Sequence, residues 1–189
     1  LAKLGFNLIQ LRLVSNHGFC FKSEAHPDLG NSVLSKNKNP LYSMDQLLLL
    51  VNSALTFGIE VMPEISVSTE AAGWQKGGYL VNCPMHLCSG GAVPNNVTNP
   101  LLVPMLLYVI VELRKVFSSN FLHLGTDERV ASAPCFVEAN ASEPHFDMFE
   151  RRLEGLLEAH GMPSTNILRW ENGEQWSYPE RAGEITQYK

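Results

Sequence analysis

No basic stripe or Lys/Arg run breaks this chain. Its 14 Lys and Arg stand against 19 Asp and Glu, a formal net charge of −5. That balance argues against nucleic acid as a partner. No transmembrane segment is expected either. The most apolar run, Leu101 to Leu113, is shorter than the ~20 residues a membrane helix needs and carries Glu112 near its end. No Gly-rich phosphate loop follows any apolar run, against a nucleotide-binding protein. None of the six histidines makes a metal-ligand spacing with another, so neither metal nor cofactor is expected. The chain opens on Leu1 with no charged n-region or cleavage site. It is expected to have no signal peptide of its own and, starting inside helix-like residues Leu1 to Gly5, to be a fragment.

What is present is ordinary globular material, 45% hydrophobic and 17% charged over 189 residues, enough for one domain. Four cysteines occur. Cys83 and Cys88 lie close together in a Gly/Pro-rich loop and could form a bridge; four free thiols are the alternative. Two glycosylation sequons, Asn96-Val97-Thr98 and Asn140-Ala141-Ser142, fall in expected loops. Together these features point to a secretory, lysosomal/vacuolar or extracellular setting.

Strand and helix patterns alternate. Phe6 to Val14 interleaves apolar and polar residues and reads as a first strand, and Cys20 to Pro40 as a long loop. Ser43-Met44-Asp45-Gln46 has capping-box spacing at the head of a helix through Phe57, with Gly58 as its stop. Ile59 to Ile65 follows as a strand, and Ser66 to Thr98 is loop. Asn99-Pro100 reads as the cap and first residue of a helix reaching about Phe117. Phe121 to Gly125 is the next strand. Ser142 and Pro144 open a helix whose buried face is Phe146, Phe149, Leu153, Leu156 and Leu157, ended by Gly161. Asn166 to Trp170 is a fourth strand, and Glu184 to Tyr188 begins a fifth.

The long loops follow strands and the short turns follow helices. That is the asymmetry of a (β/α) barrel, whose strand-to-helix loops build the active face. Only four to five of its eight units are present, so the expected fold class is α/β, a partial (β/α)8 TIM barrel. The alternative is a doubly wound open sheet.

The stretch Phe121 to Glu128 organises the rest. An apolar strand stops at Gly125-Thr126 and presents the adjacent carboxylates Asp127 and Glu128 at its C-terminal end. Neighbours on an extended strand point to opposite sides, so both serve one site only if the chain turns there. Such a pair can hold different pKa values and divide the work of acid and stabiliser. The plainer reading makes Asp127 a helix cap in an unrelated open α/β protein.

His123-Leu124-Gly125-Thr126-Asp127-Glu128 resembles the His-x-Gly-Gly-Asp-Glu pattern of glycoside hydrolase family 20, the β-N-acetylhexosaminidases. Gly58 to Ile65 is similar to that family's Gly-Ile-x-Val-Ile-Pro-Glu-Ile-Asp. Asn7 through Phe19, then Glu24, Pro27 and Leu29, resemble Asn-x-x-His-x-His-x-x-Asp-x-x-x-Phe and its sequel. Trp170-Glu171 stands where the family places a Trp after the next strand. The resemblance implies that residues 1–189 are an incomplete catalytic barrel lacking the first and last strands. It implies retaining, substrate-assisted removal of terminal β-linked N-acetylglucosamine or N-acetylgalactosamine from a glycan or glycoconjugate. Glu128 would be the acid/base, and Asp127 would orient and stabilise the acetamide and the oxazolinium it forms. Trp170 would wall the sugar pocket, with Trp74, His123 and Glu64 supporting the substrate site.

The sequence also departs from the pattern. Gln10 and Arg12 replace two histidines, Ser15 an Asp, Ser66 an Asp, Glu70 the His of Pro-Gly-His, and Thr126 a Gly. These departures make a catalytically impaired sugar-binding or scaffold homologue the alternative. Oligomeric state stays open.

Overall fold

A computed structural model describes residues 1–15, 18–29, 41–68, 71–74, 95–125, 143–171 and 185–188, with backbone alone at 143–146, 171 and 185–188. Asp127, Glu128, Cys83, Cys88 and Asn140 lie outside the described residues.

Among the described residues six strands form one sheet: β1 (Leu8–Ser15), β2 (Gly18–Phe19), β3 (Glu60–Ile65), β4 (Leu122–His123), β5 (Ile167–Glu171) and β6 (Ile185–Tyr188). Their order is β2-β1-β3-β4-β5-β6. All neighbours pair parallel except the short hairpin of β2 on the end of β1. Each parallel strand therefore lies beside the next one in the chain. A doubly wound sheet reverses its strand order at a switch point, and this order never reverses. It is the arc of a barrel.

Among the described residues three α-helices connect the strands: α1 (Met44–Leu55), α2 (Leu102–Leu113) and α3 (Glu143–Ala159). Ser43 caps α1 as its spacing predicts. The Ser43 Oγ accepts from the Gln46 amide at 3.2 Å, and the Gln46 side chain accepts from the Ser43 amide at 2.9 Å. Gly58 takes φ 70 just after the helix, a conformation that costs a residue with a Cβ and costs Gly little.

The expected start of α2 is corrected. Asn99 accepts from the Leu101 amide at 2.9 Å in a turn, and the helix begins two residues past Pro100, with Leu101 as its cap residue. Asn99 satisfies its own turn rather than the helix end. The helix also stops at Leu113, and residues 114–116 form turns. Strand β4 is shorter than the apolar run that suggested it.

The core lies between the sheet's outer face and the helices. Leu13, Val61, Ile65, Leu122 and Ile167 pack in one cluster with Leu47 and Val51 of α1, Leu106 and Ile110 of α2, and Phe149, Leu153 and Leu157 of α3. The three described helices thus cover one face. The alternate strand positions carry Gln10, Arg12, Glu64, His123 and Trp170, the inner face of the arc.

Glu112 of α2 is polar yet buried. Its carboxylate accepts from the Ser23 hydroxyl at 2.6 Å and the Glu24 amide at 2.5 Å, tying the loop after β2 to the helix layer.

Candidate functional site

Register brings the polar inner residues side by side. Arg12 pairs with Glu64, and Glu64 pairs with His123. In a parallel ladder, paired residues project to the same face. One row therefore crosses three strands near their C-terminal ends, the end where barrel chemistry sits.

Glu64 is the hub of that row. It is 2% exposed. Gln10 Nε2 donates to Glu64 Oε2 at 2.6 Å, and Arg12 Nε lies 2.6 Å from Oε1. The Trp170 indole N–H donates to the same Oε1 at 3.4 Å. A buried carboxylate is tolerable only when paired and hydrogen-bonded, and these three donors meet that need. Gln10 and Arg12, two residues apart on β1, reach the same carboxylate because alternate strand positions share a face.

His123 is fully buried. Its Nδ1 accepts from the Gly125 amide at 3.0 Å, so the neutral ring carries its proton on Nε2. The ring lies 4.7 Å from that of Trp170 at 54°, a tilted aromatic contact. The structure thus gathers Glu64, His123 and Trp170, three of the four residues the resemblance assigned to sugar binding.

Trp74 sits differently. It is fully buried, its indole N–H donates to the Ser66 carbonyl at 2.5 Å, and it meets Phe19 edge-on at 5.3 Å. These contacts hold the short helical turn Ala72–Trp74 under the ends of β1 and β3.

Gly125 takes φ 58. The left-handed residue breaks the strand direction at the last described position before Thr126. Ser66 lies against it, fully buried, and its Oγ has no hydrogen-bond partner among the described residues. Among the described residues no three His, Cys, Asp or Glu side chains group as metal ligands. No helix of the described residues is long and apolar enough to cross a membrane.

The roles of Gln10 and Arg12 were missed in the sequence, where they stood only as departures from a pattern. Their i, i+2 spacing on one strand was the available signal. Their partner on the next strand was not visible without the register.

Comparison with known proteins agrees with this geometry. Residues 1–167 match the profile described as glycosyl hydrolase family 20, catalytic domain. The chain is 28% identical over 135 residues to beta-hexosaminidase subunit A1 of Dictyostelium discoideum, covering 70% of this chain and 25% of that protein. It is 30% identical over 165 residues to subunit A2 of the same organism, covering 82% of this chain and 30% of that one. Among solved structures, a Vibrio harveyi exo-β-N-acetylglucosaminidase in complex with N-acetylglucosamine superposes over 100% of this chain and 34% of its own, with 17% identity and a TM-score of 0.72. The chain belongs to glycosyl hydrolase family 20, and its fold is a partial (β/α)8 TIM barrel of four to five βα units. It spans less than a third of the length of the two curated relatives just named.

Proposed function

We propose that this chain is part of a β-N-acetylhexosaminidase acting on glycans with terminal β-linked N-acetylglucosamine or N-acetylgalactosamine. The observation that carries the reading is a membership matched to a position. The family profile runs through Asp127-Glu128, and the described chain leaves β4, where His123 lies against Trp170, through the left-handed Gly125, two residues before Asp127. Residues 1–189 then form an incomplete catalytic barrel that lacks the first and last strands.

In this reading the substrate's own acetamide carbonyl attacks the anomeric carbon. Glu128 gives its proton to the leaving oxygen and afterwards takes one from the attacking water. Asp127 orients the acetamide and offsets the positive charge that develops on the oxazolinium ring. Trp170 walls the sugar pocket. His123 and Glu64 brace it, and Trp74 supports the floor from beneath Ser66. The bond broken is the glycosidic C–O bond, and water supplies the new anomeric hydroxyl with retention.

A secretory or lysosomal route fits this activity and the sequons. Asn96 is half-buried in a turn where its Oδ1 accepts from the Thr98 hydroxyl at 2.6 Å and the Thr98 amide at 3.1 Å. We propose Asn96 as a glycan attachment site, with Asn140 as the second and Cys83–Cys88 as a disulfide. Peptide N-glycosidase should lower the mass of the cell-expressed protein, and Asn96→Gln should remove one glycan. An unmodified Asn96 would set this assignment aside.

One observation favours a second reading, a sugar-binding homologue with impaired chemistry. The Ser66 hydroxyl, without a hydrogen-bond partner among the described residues, stands where the family pattern has a carboxylate. The test is hydrolysis of aryl β-N-acetylglucosaminide beside aryl β-glucoside, in the chain with the flanking sequence its gene encodes. Cleavage of the N-acetyl substrate alone, lost in Glu128→Gln, is expected. A folded protein that binds N-acetylglucosamine and cleaves neither substrate would establish the impaired homologue. Equal cleavage of both would remove the acetamide from the mechanism.

A further inference from the structure

The polar row on the inner face does more than balance a charge. Replacing a buried ion pair by well-packed apolar groups is often neutral or stabilising. Stability alone therefore gives no reason for three donors to converge on Glu64. Their geometry points elsewhere. Arg12 and Gln10 take hold of both carboxylate oxygens, each at 2.6 Å. The carboxylate so fixed presents Oε1 to the indole N–H of Trp170 at 3.4 Å. The ring of Trp170 rests on His123, whose own Nδ1 is held by the Gly125 amide.

We propose that Gln10, Arg12 and Glu64 are positioning residues for Trp170. They fix the plane of its indole against His123 and so set the shape of the sugar-binding wall. The proposal rests on the functional reading above for the word sugar; the positioning itself does not depend on it. It also gives the replacements on β1 a reason. Arginine is charged at every physiological pH and donates from a rigid fork. Together with the Gln10 amide it clamps the carboxylate from one side and leaves an Oε1 lone pair for Trp170.

The test uses the gene's full protein labelled with 5-fluorotryptophan. These 189 residues hold three tryptophans, Trp74, Trp170 and Trp176, and single Trp→Phe variants pick out their fluorine resonances from any others of the full protein. Glu64→Gln and the milder Arg12→Lys are each expected to move the Trp170 resonance and leave that of Trp74, which marks an intact core. N-acetylglucosamine binding, titrated on the same signals, should weaken about tenfold in Glu64→Gln, within the range for side chains coupled in one network. In a Trp170→Phe background the same exchange should change binding no further. A Trp170 resonance unmoved in both variants, or losses that add in the double variant, would overturn the proposal. If Glu64→Gln disturbs Trp74 as well, Arg12→Lys decides by the same criterion. A parent protein that neither binds nor hydrolyses N-acetylhexosamine would sink the functional reading, and the resonance shifts would still decide the positioning.

Discussion

Ser66 and Gly125 meet across the seam between β3 and β4. A Cβ at position 125 would stand 2.9 Å from the Ser66 Oγ and 3.0 Å from its Cα. Only a residue without a side chain fits there. Gly125→Ala faces two costs. The left-handed backbone costs about 1 kcal/mol, and overpacking against Ser66 adds about 1–3 kcal/mol. The expected loss, about 2–4 kcal/mol, is read from the urea midpoint. Adding Ser66→Gly removes the Oγ but leaves the Cα, so it should restore only part. Full recovery in the double variant would show that the backbone contact carries no cost.

The two replacements on β1 should not weigh equally. Arg12→Ala leaves the buried Glu64 without its counter-charge. Breaking such a pair is severe, but the Arg12 side chain is 35% exposed and water can partly fill its place. The expected loss is about 3 kcal/mol, the low end for a broken buried pair. Gln10→Ala removes one hydrogen bond to a charged group and should cost about 1.5 kcal/mol. Equilibrium unfolding of the two variants would reverse this order if the amide, rather than the charge, held Glu64 in place.

The cap of α1 offers a separate measurement away from the site. Ser43→Ala deletes the acceptor for the Gln46 amide and should lower stability by about 1 kcal/mol. Ser43→Asp keeps an acceptor and should stay near the parent. A Ser43→Ala protein as stable as its parent would mean that packing of Leu47 and Val51 alone sets the start of this helix.

Cys20 predicts a pH dependence. Burial, the larger influence, lifts its thiol from the ordinary 9.0 to about 11, against a lowering by the backbone hydrogen bond. The folded chain therefore holds this proton more tightly than the unfolded chain. The stabilisation is complete below pH 9 and is lost as pH rises toward about 11. Stability of the parent minus that of Cys20→Ala should fall by about 2 kcal/mol across that window, since other titrating groups cancel in the difference. A flat difference would place the thiol in water. Alkylation of Cys20 at pH 8 should also be slow until the chain unfolds.

Much of this fold was legible in the sequence because its elements announce themselves locally. The capping box at Ser43 and the strand pattern ending at Ile65 depend on near neighbours alone. Phe149, Leu153 and Leu157 formed the buried face of α3 at the spacing that predicted it. The start of α2 misled because Asn99 and Pro100 serve equally well in a turn, and only three-dimensional context decides between the two uses. Glu64, His123 and Trp170 were each visible as residues at strand ends. Their meeting was not, because it depends on parallel register between segments far apart in the chain, and Gln10 and Arg12 gained meaning only from that register. Glu112 read as an interruption in an apolar run, and its real employment is to hold a loop whose residues lie 88 and 89 positions away.

The strand order has a consequence for how the chain assembles. Since every parallel strand lies beside its successor, each new unit finds its docking edge already built by the unit before it. Leu8 waits for Glu60, and Leu122 for Ile167. No strand has to be threaded between two earlier ones. A nascent chain can therefore lay down this arc one unit at a time as it leaves the ribosome, at the pace of synthesis.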